Sequence, residues 1–262
     1  MRITSRAPAD PLARFVRGHD VSMYSQRTLA FASVLFVLAS TALSGGCGRS
    51  VDRAAKADVD ARIAIIRPPS NTVPFPGSPK PMPFSSGQWA LYKLTKGGGP
   101  PSFVVYRILG EEAGAFWWEM ESVSYTGRSG MRILMTVGSP TVPLPIQIRE
   151  IRAVIIRGKD GRMVTQPPSV LPVLQRTFAP AFSALVTEWK GLPQEAVNVP
   201  AGKFEGCFRR RAVTDWGGVH GVSDTWSQPA VPIFGIVSSR AINKAYDMEL
   251  VAFGLDGGPS PL

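Results

Sequence analysis

Beyond Ser86 the chain breaks into short runs of alternating apolar and polar residues, each stopped by glycines. This punctuation leaves antiparallel hairpins as the economical way to fold it. Gly97-Gly98-Gly99, Gly110-Glu111-Glu112-Ala113-Gly114 and Gly127-Arg128-Ser129-Gly130 separate runs at 88–95, 102–109, 115–125 and 131–137. Their period-2 faces are Val104, Tyr106 and Ile108, then Phe116, Trp118 and Met120, then Met131, Ile133 and Met135. Further runs at 147–157, 162–166, 196–199, 203–215, 222–228, 235–242 and 245–253 bring the expectation to about ten strands, enough for a strongly curved sheet. The 147–157 run is ambiguous, because Ile148, Ile151 and Ile155 also fit a helical stripe.

One helix is expected over 180–190, where Phe182, Leu185, Val186 and Trp189 share a face, Pro180 suits the first turn and Gly191 the stop. So short a helix is marginal alone and must pack on the sheet. The fold class expected is mainly β (α+β): a single curved antiparallel sheet, half-barrel-like, with one or two short covering helices.

The N-terminus carries an address. Residues 29–43 form a 15-residue apolar and small-residue run after Arg27, followed by Ser44-Gly45-Gly46-Cys47. As a helix the run would span about 22 Å, short of the ~30 Å hydrocarbon core, so it reads as a cleaved export signal. The order resembles a bacterial lipoprotein signal, in which a large apolar residue and small residues precede an acylated cysteine. Leu43 lies four residues before Cys47, one more than that pattern has. The resemblance implies lipid attachment (diacylglycerol, palmitate) at Cys47 and, with Gly48 following it, delivery to the outer membrane facing the periplasm. Cleavage near Ala42 or Ser44, giving a soluble exported protein, and an uncleaved helix are the alternatives. Met23 is expected as the true start, since 1–22 lack apolar periodicity.

The expected organisation is therefore a signal peptide (1–46), a lipidated N-terminus and Pro-rich tether (47–86), a curved β domain (87–256) and a C-terminal tail (257–262). Seven prolines among the twenty residues 67–86 favour extended geometry, a spacer that could hold a domain roughly 60 Å from the anchor.

Charge supports the address. The chain carries +10, but +3 belongs to residues 1–46, +3 to 47–86 and only +4 to the rest, so the basic balance gives no reason to expect nucleic acid as a partner. In Arg209-Arg210-Arg211 the middle side chain of a strand points away from its neighbours, which breaks any continuous basic groove.

Chemistry is sparse. With Cys47 acylated, Cys207 has no disulfide partner and reads as a packed thiol, with a reactive thiol beside the arginine triplet as the alternative. His220, the one histidine left after processing, sits in a glycine-flanked hairpin without an evident orienting partner, so a hydrolase using it is the less favoured reading. Glu119 and Glu121 share a strand face and are expected as solvated charge rather than an acid–base pair. No catalytic residue, metal or cofactor is expected.

The run Val199-Pro200-Ala201-Gly202-Lys203-Phe204, then Thr225-Trp226-Ser227, then Val231-Pro232-Ile233-Phe234-Gly235, starts a long strand, ends its partner and breaks pairing before the next. This spacing resembles uncharacterised bacterial cell-envelope proteins and, more loosely, is similar to the lipoprotein carrier and receptor group. That group's fold is an open half-barrel with helices over its concave face. The resemblance implies a non-catalytic binding module for apolar ligands or lipoproteins, with Trp118, Phe182 and Trp189 as candidate lining residues and the helix as a lid. A structural or assembly partner in an envelope complex is the alternative.

Overall fold

The computed structural model describes residues 50–138, 148–158, 161–185, 189–216 and 219–258; for 177, 180–185, 212–216 and 219–220 it describes the backbone only. Cys47, the signal segment and the tail from 259 lie outside the described residues.

The strands are β1 (Thr72–Val73), β2 (Trp89–Lys96), β3 (Ser102–Glu112), β4 (Ala115–Ser124), β5 (Gly127–Val137), β6 (Ile148–Arg157) and β7 (Met163–Thr165). After the helical segment come β8 (Gln194–Val199), β9 (Gly202–Trp216), β10 (Val219–Ser227), β11 (Ile236–Ala241) and β12 (Tyr246–Gly254). They form one open, curved sheet of twelve strands in the order β1-β9-β10-β11-β12-β2-β3-β4-β5-β6-β7, with β8 on β9. Every pairing is antiparallel except β1 on β9. Register shifts at Ile108/Gly110, Leu134/Met135 and Leu250/Ala252 add an unpaired residue to one strand each time, which bends that strand. The ambiguous run around 150 is a strand.

Two meanders, β2 to β7 and β8 to β12, meet where β12 pairs with β2, from Tyr246 opposite Lys96 to Gly254 opposite Trp89. The inner face carries Tyr92, Leu94, Val104, Tyr106, Ile108, Trp118, Met120, Ile133 and Met135, all buried in the main core. A second, smaller core on the outer face joins Leu91, Phe103, Val105 and Val123 to Ala55 and Val59 of α1 (Arg53–Ile65). Asp52 caps α1 by accepting from the backbone N–H of Ala54 and Ala55 at 2.9 and 3.0 Å.

Residues expected to form a free spacer lie along the domain instead. Thr72 and Val73 pair with Lys203 and Phe204, Phe75 packs edge-on against Phe208, and Phe84 is buried in the main core. A proline-rich stretch cannot donate a full ladder, but two residues between prolines suffice for one short edge pairing.

The helix also differs from expectation. α2 runs Leu171–Leu185 behind a 3-10 turn at Pro168–Val170, so Pro180 is interior and Trp189 lies beyond the end. Pro172, not Pro180, is the first-turn proline, where a missing N–H costs nothing. Leu171, Leu174 and Phe178 face the core, and the Gln175 side chain accepts from the Ile151 backbone N–H at 2.7 Å, fastening α2 to β6.

Candidate functional site

On the concave side Tyr106 stacks on Trp118 at 5.6 Å between centroids, and Phe234 meets both edge-on, at 5.3 and 6.3 Å. Tyr92 lies edge-on to Tyr106 at 5.7 Å and donates its hydroxyl to the carbonyl of Ile236 at 2.9 Å. Burial pushes both tyrosine hydroxyls well above their usual range, so they remain donors at any working pH.

Phe234 belongs to the β10–β11 connection, Gln228 to Gly235, which is not a surface loop. Val231, Ile233 and Phe234 are each 1% exposed, and the loop fills the hollow that the curved sheet would otherwise leave. Its prolines, Pro229 and Pro232, keep it out of the ladder. Gln228 ties down its start by donating from Nε2 to the carbonyl of Glu205 at 2.8 Å, while its N–H donates to the Gly235 carbonyl at 2.7 Å. Ile233 sits at φ 69°, an uncomfortable value for a β-branched residue. Gly235, at φ 67°, lies under the Trp189 ring, where a Cβ would meet the ring at 2.4 Å.

The candidate lining residues therefore have separate surroundings. Trp118 is fully buried under Phe234, and Trp189 is buried between Phe208, at 5.8 Å, and Gly235. The Phe234-Gly235 dipeptide stands between the two tryptophans. Phe182 lies in the last turn of α2. One described hollow, of about 340 Å³, is open and lies elsewhere, between the exit of α1 (Ile66 to Pro69) and the end of β8 with the residue after it (Asn198 to Pro200).

Glu119 and Glu121 are not solvated, contrary to expectation: they are 2% and 3% exposed, under a network that also buries Arg107. Arg107 Nη1 donates to Glu119 Oε2 at 2.7 Å and to Glu121 Oε2 at 2.9 Å. Arg132 donates to Glu119 Oε1 and Arg157 to Glu121 Oε1, both at 2.6 Å. The register explains the set. Arg107, Glu119 and Arg132 stand in one cross-strand row, while Gly130 separates Glu121 from Arg157 in the next. Arg157 reaches across β5 over Gly130, where a Cβ would lie at ordinary contact distance, 3.5 Å, from Arg157 and Glu121. Both carboxylates are pinned by guanidinium groups on three strands, an arrangement suited to holding the sheet rather than to moving protons.

The arginine triplet splits as strand alternation requires. Arg209 and Arg211 share Asp224 on β10, at 2.6 and 2.8 Å, and Arg209 and Arg240 flank the Trp226 ring at 5.6 and 5.9 Å. The hydrogen bonds from Arg211, then those from Arg209, hold the Asp224 carboxyl at about 2, below its ordinary 3.8. Folding therefore favours the ionised form. This contribution is present above pH 4 and lost as pH falls toward 2. In urea titrations between pH 5 and 2, the stability of wild type is expected to fall more steeply than that of Asp224→Asn. Parallel curves would show that the carboxylate gains nothing on folding.

Cys207 is fully buried, and burial, with Glu195 nearby, pushes its thiol up to about 12. The arginine triplet does not activate it. Cys207 is expected to resist thiol reagents at pH 8 in the native state and to react at once after denaturation; fast native labelling of the Cys207 peptide would contradict this.

His220 is the second residue of β10, and the backbone register sets it opposite Asp215 of β9, a juxtaposition invisible from the linear order. Among the described residues no three His, Cys, Asp or Glu side chains converge for a metal ion, and no helix is long and apolar enough to cross a membrane.

Neither the protein-family models nor the curated proteins contain a match to the chain. Among solved structures, a Bacteroides fragilis protein whose export is inferred and whose fold is described as YmcC-like shares 12% identity, covering 68% of this chain and all of its own, with a TM-score of 0.32. A hypothetical protein from Chlamydia trachomatis shares 10% identity over 67% of this chain and 90% of its own, with a TM-score of 0.36. At these scores the likeness decides nothing about function.

Proposed function

We propose that this protein is a non-catalytic binding module of the bacterial cell envelope, acylated at Cys47, exported and held on the outer membrane facing the periplasm. It takes an apolar ligand or a lipoprotein's acyl chains on the concave side of the sheet. The observation that carries this reading is the identity of what now occupies that side. Val231 to Phe234 is a loop without ladder hydrogen bonds, strained at Ile233, and laid over Tyr92, Tyr106 and Trp118. A covering of this kind can be exchanged for an apolar chain at less cost than a paired strand, because few backbone hydrogen bonds must break. Phe182, in the last turn of α2, and Trp189, in the segment that leads from α2 to β8, are the residues such an exchange would disturb next.

The test is mass spectrometry of the full chain purified gently from membranes, with labelled fatty acid supplied during growth. A non-covalently bound lipid, together with covalent label in the wild type and none in Cys47→Ala, is the expected result. Absence of bound lipid and of any uptake of an added fatty-acyl probe would defeat the ligand reading. Equal labelling of both proteins would defeat the anchor. No cofactor takes part, and His220→Ala is expected to leave ligand uptake unchanged.

A second reading, an assembly partner in an envelope complex, draws on the sheet's edge. β7 is three residues long, and its Met163 and Val164 are 39% and 52% exposed, so a partner strand can extend the sheet there. Crosslinking that recovers one stoichiometric protein through β7 would favour it.

A further inference from the structure

The concave-side loop Gln228–Gly235 is held at both ends by the proline-rich segment that precedes the domain. At the start of the loop Gln228, fully buried, donates from Nε2 to the Glu205 carbonyl at 2.8 Å and, more weakly, to that of Val73 at 3.3 Å, with the Pro74 carbonyl at 3.5 Å. The same residue closes the loop: its N–H donates to the Gly235 carbonyl, and its own carbonyl accepts from the Val231 N–H at 3.1 Å. At the end of the loop the link is apolar. Phe75 meets Phe208 edge-on at 5.7 Å, Phe208 lies 5.8 Å from Trp189, and the Trp189 ring lies over Gly235. Val73 to Phe75 thus reach one end of the loop directly and the other through two rings.

This hold is made of few contacts. β1 is two residues long, and its pairing with β9 is extended by one bond, from the Lys203 N–H to the Asn71 carbonyl at 2.9 Å, before Pro74 and Pro76 stop it. Phe75 is half-buried and sits over Gly206, where a Cβ would come within 3.0 Å of its own. From Pro76 to Lys80 the segment is exposed. A two-residue edge strand and one ring open at lower free energy than the long strands of the sheet. The loop that they hold makes no ladder bonds and is strained at Ile233, at φ 69°, so it gains from leaving once the hold is gone.

We infer that Asn71–Phe75 is a latch on the concave side: while it lies on β9 the loop stays over Tyr106 and Trp118, and when it leaves, the loop is released and the apolar face opens. Coupling is reciprocal, so an acyl chain that displaces the loop also loosens the latch. The latch lies between α1 and the domain, so tension on that segment, or its capture by another chain, regulates uptake. The inference rests on the ligand reading for what the open face admits, and on the contacts of Gln228, Phe75 and Trp189 for the opening itself.

The experiment is hydrogen–deuterium exchange of the full chain, read by mass spectrometry at peptides covering 228–235 and, as a second locally opening element, β7. In Thr72→Cys with Lys203→Cys, register partners that are both exposed, a disulfide locks the latch, and Cys207, being buried, does not compete. Oxidation is expected to slow exchange at 228–235 by about fivefold or more, the small end of usual coupling, and reduction of the same molecule to restore it. The β7 peptide should keep one rate throughout. Phe75→Ala, which removes the ring against Phe208, should raise exchange at 228–235 several-fold, whereas Val59→Ala, which loosens α1 on the outer face, should not. Equal loop rates in the oxidised and reduced protein, or a change that β7 shares in full, would overturn the latch. A fatty-acyl probe added to the same samples separates the two readings. Uptake that slows on oxidation supports regulation by the latch, and uptake indifferent to the lock refutes it. If no variant takes up the probe, the ligand reading fails, while exchange at 228–235 still decides the latch.

Discussion

Arg107→Leu is expected to destabilise the protein by about 3–5 kcal/mol, the largest effect of any single charge removal among the described residues. The guanidinium bridges Glu119 and Glu121 from a position 4% exposed, and neither carboxylate can turn to water when it is gone. Arg132 and Arg157 would still neutralise one oxygen each, but both glutamates would stay buried and lose the Arg107 bond to Oε2. The cost arises from orphaned charge rather than from lost attraction. Replacing Arg107, Glu119 and Glu121 together by well-fitting apolar residues is therefore expected to restore most of the loss. Urea denaturation of the two variants measures both values. A loss below about 1 kcal/mol for Arg107→Leu, at an unchanged denaturant slope, would mean that water reaches the network.

Phe234→Ala is expected to cost about 3–5 kcal/mol, since the ring is 1% exposed and its removal leaves a void against Tyr106 and Trp118. The same substitution separates two roles for the β10–β11 loop. If the loop competes with an apolar ligand, the variant should bind a fatty-acyl probe more tightly than wild type despite its lower stability. If the loop is only core, stability falls and probe binding does not rise. Near-UV circular dichroism must stay native-like for the comparison to hold, because a loosened core binds apolar dyes without specificity.

Much of the fold was legible because the strands punctuate themselves. Glycine-rich turns and period-2 apolar faces placed Tyr106, Trp118 and Ile133 on one buried face, and the structure has them there. The expected helix start at Pro180 rests on the first-turn rule alone, which Pro172 satisfies as well. Both Pro172 and Pro180 can open a helix, and only the docking of Leu171, Leu174 and Phe178 selects the earlier one. Glu119 and Glu121 were misread for a different reason. Alternation sends them to the outer face, and an outer face normally means water. Whether that face is wet depends on Arg107, Arg132 and Arg157, brought there by register. The faint signal available is a glycine at 130 inside a strand, a residue that often marks a close approach, and here the Arg157 side chain passes over it.

Alone, the sequence determined the mainly β class, the approximate strand positions and the identity of the inner face. Each of these follows from local steric preference and from the alternation of side chains along an extended chain. Three features were left to the tertiary structure. The two meanders join by β12 on β2, the stretch before the domain is laid along it through Ala55, Val59, Thr72 and Phe84, and the concave side is filled by Val231 to Phe234. All three are contacts between segments remote in sequence. Their free energy depends on which surfaces happen to meet, so no local pattern encodes them.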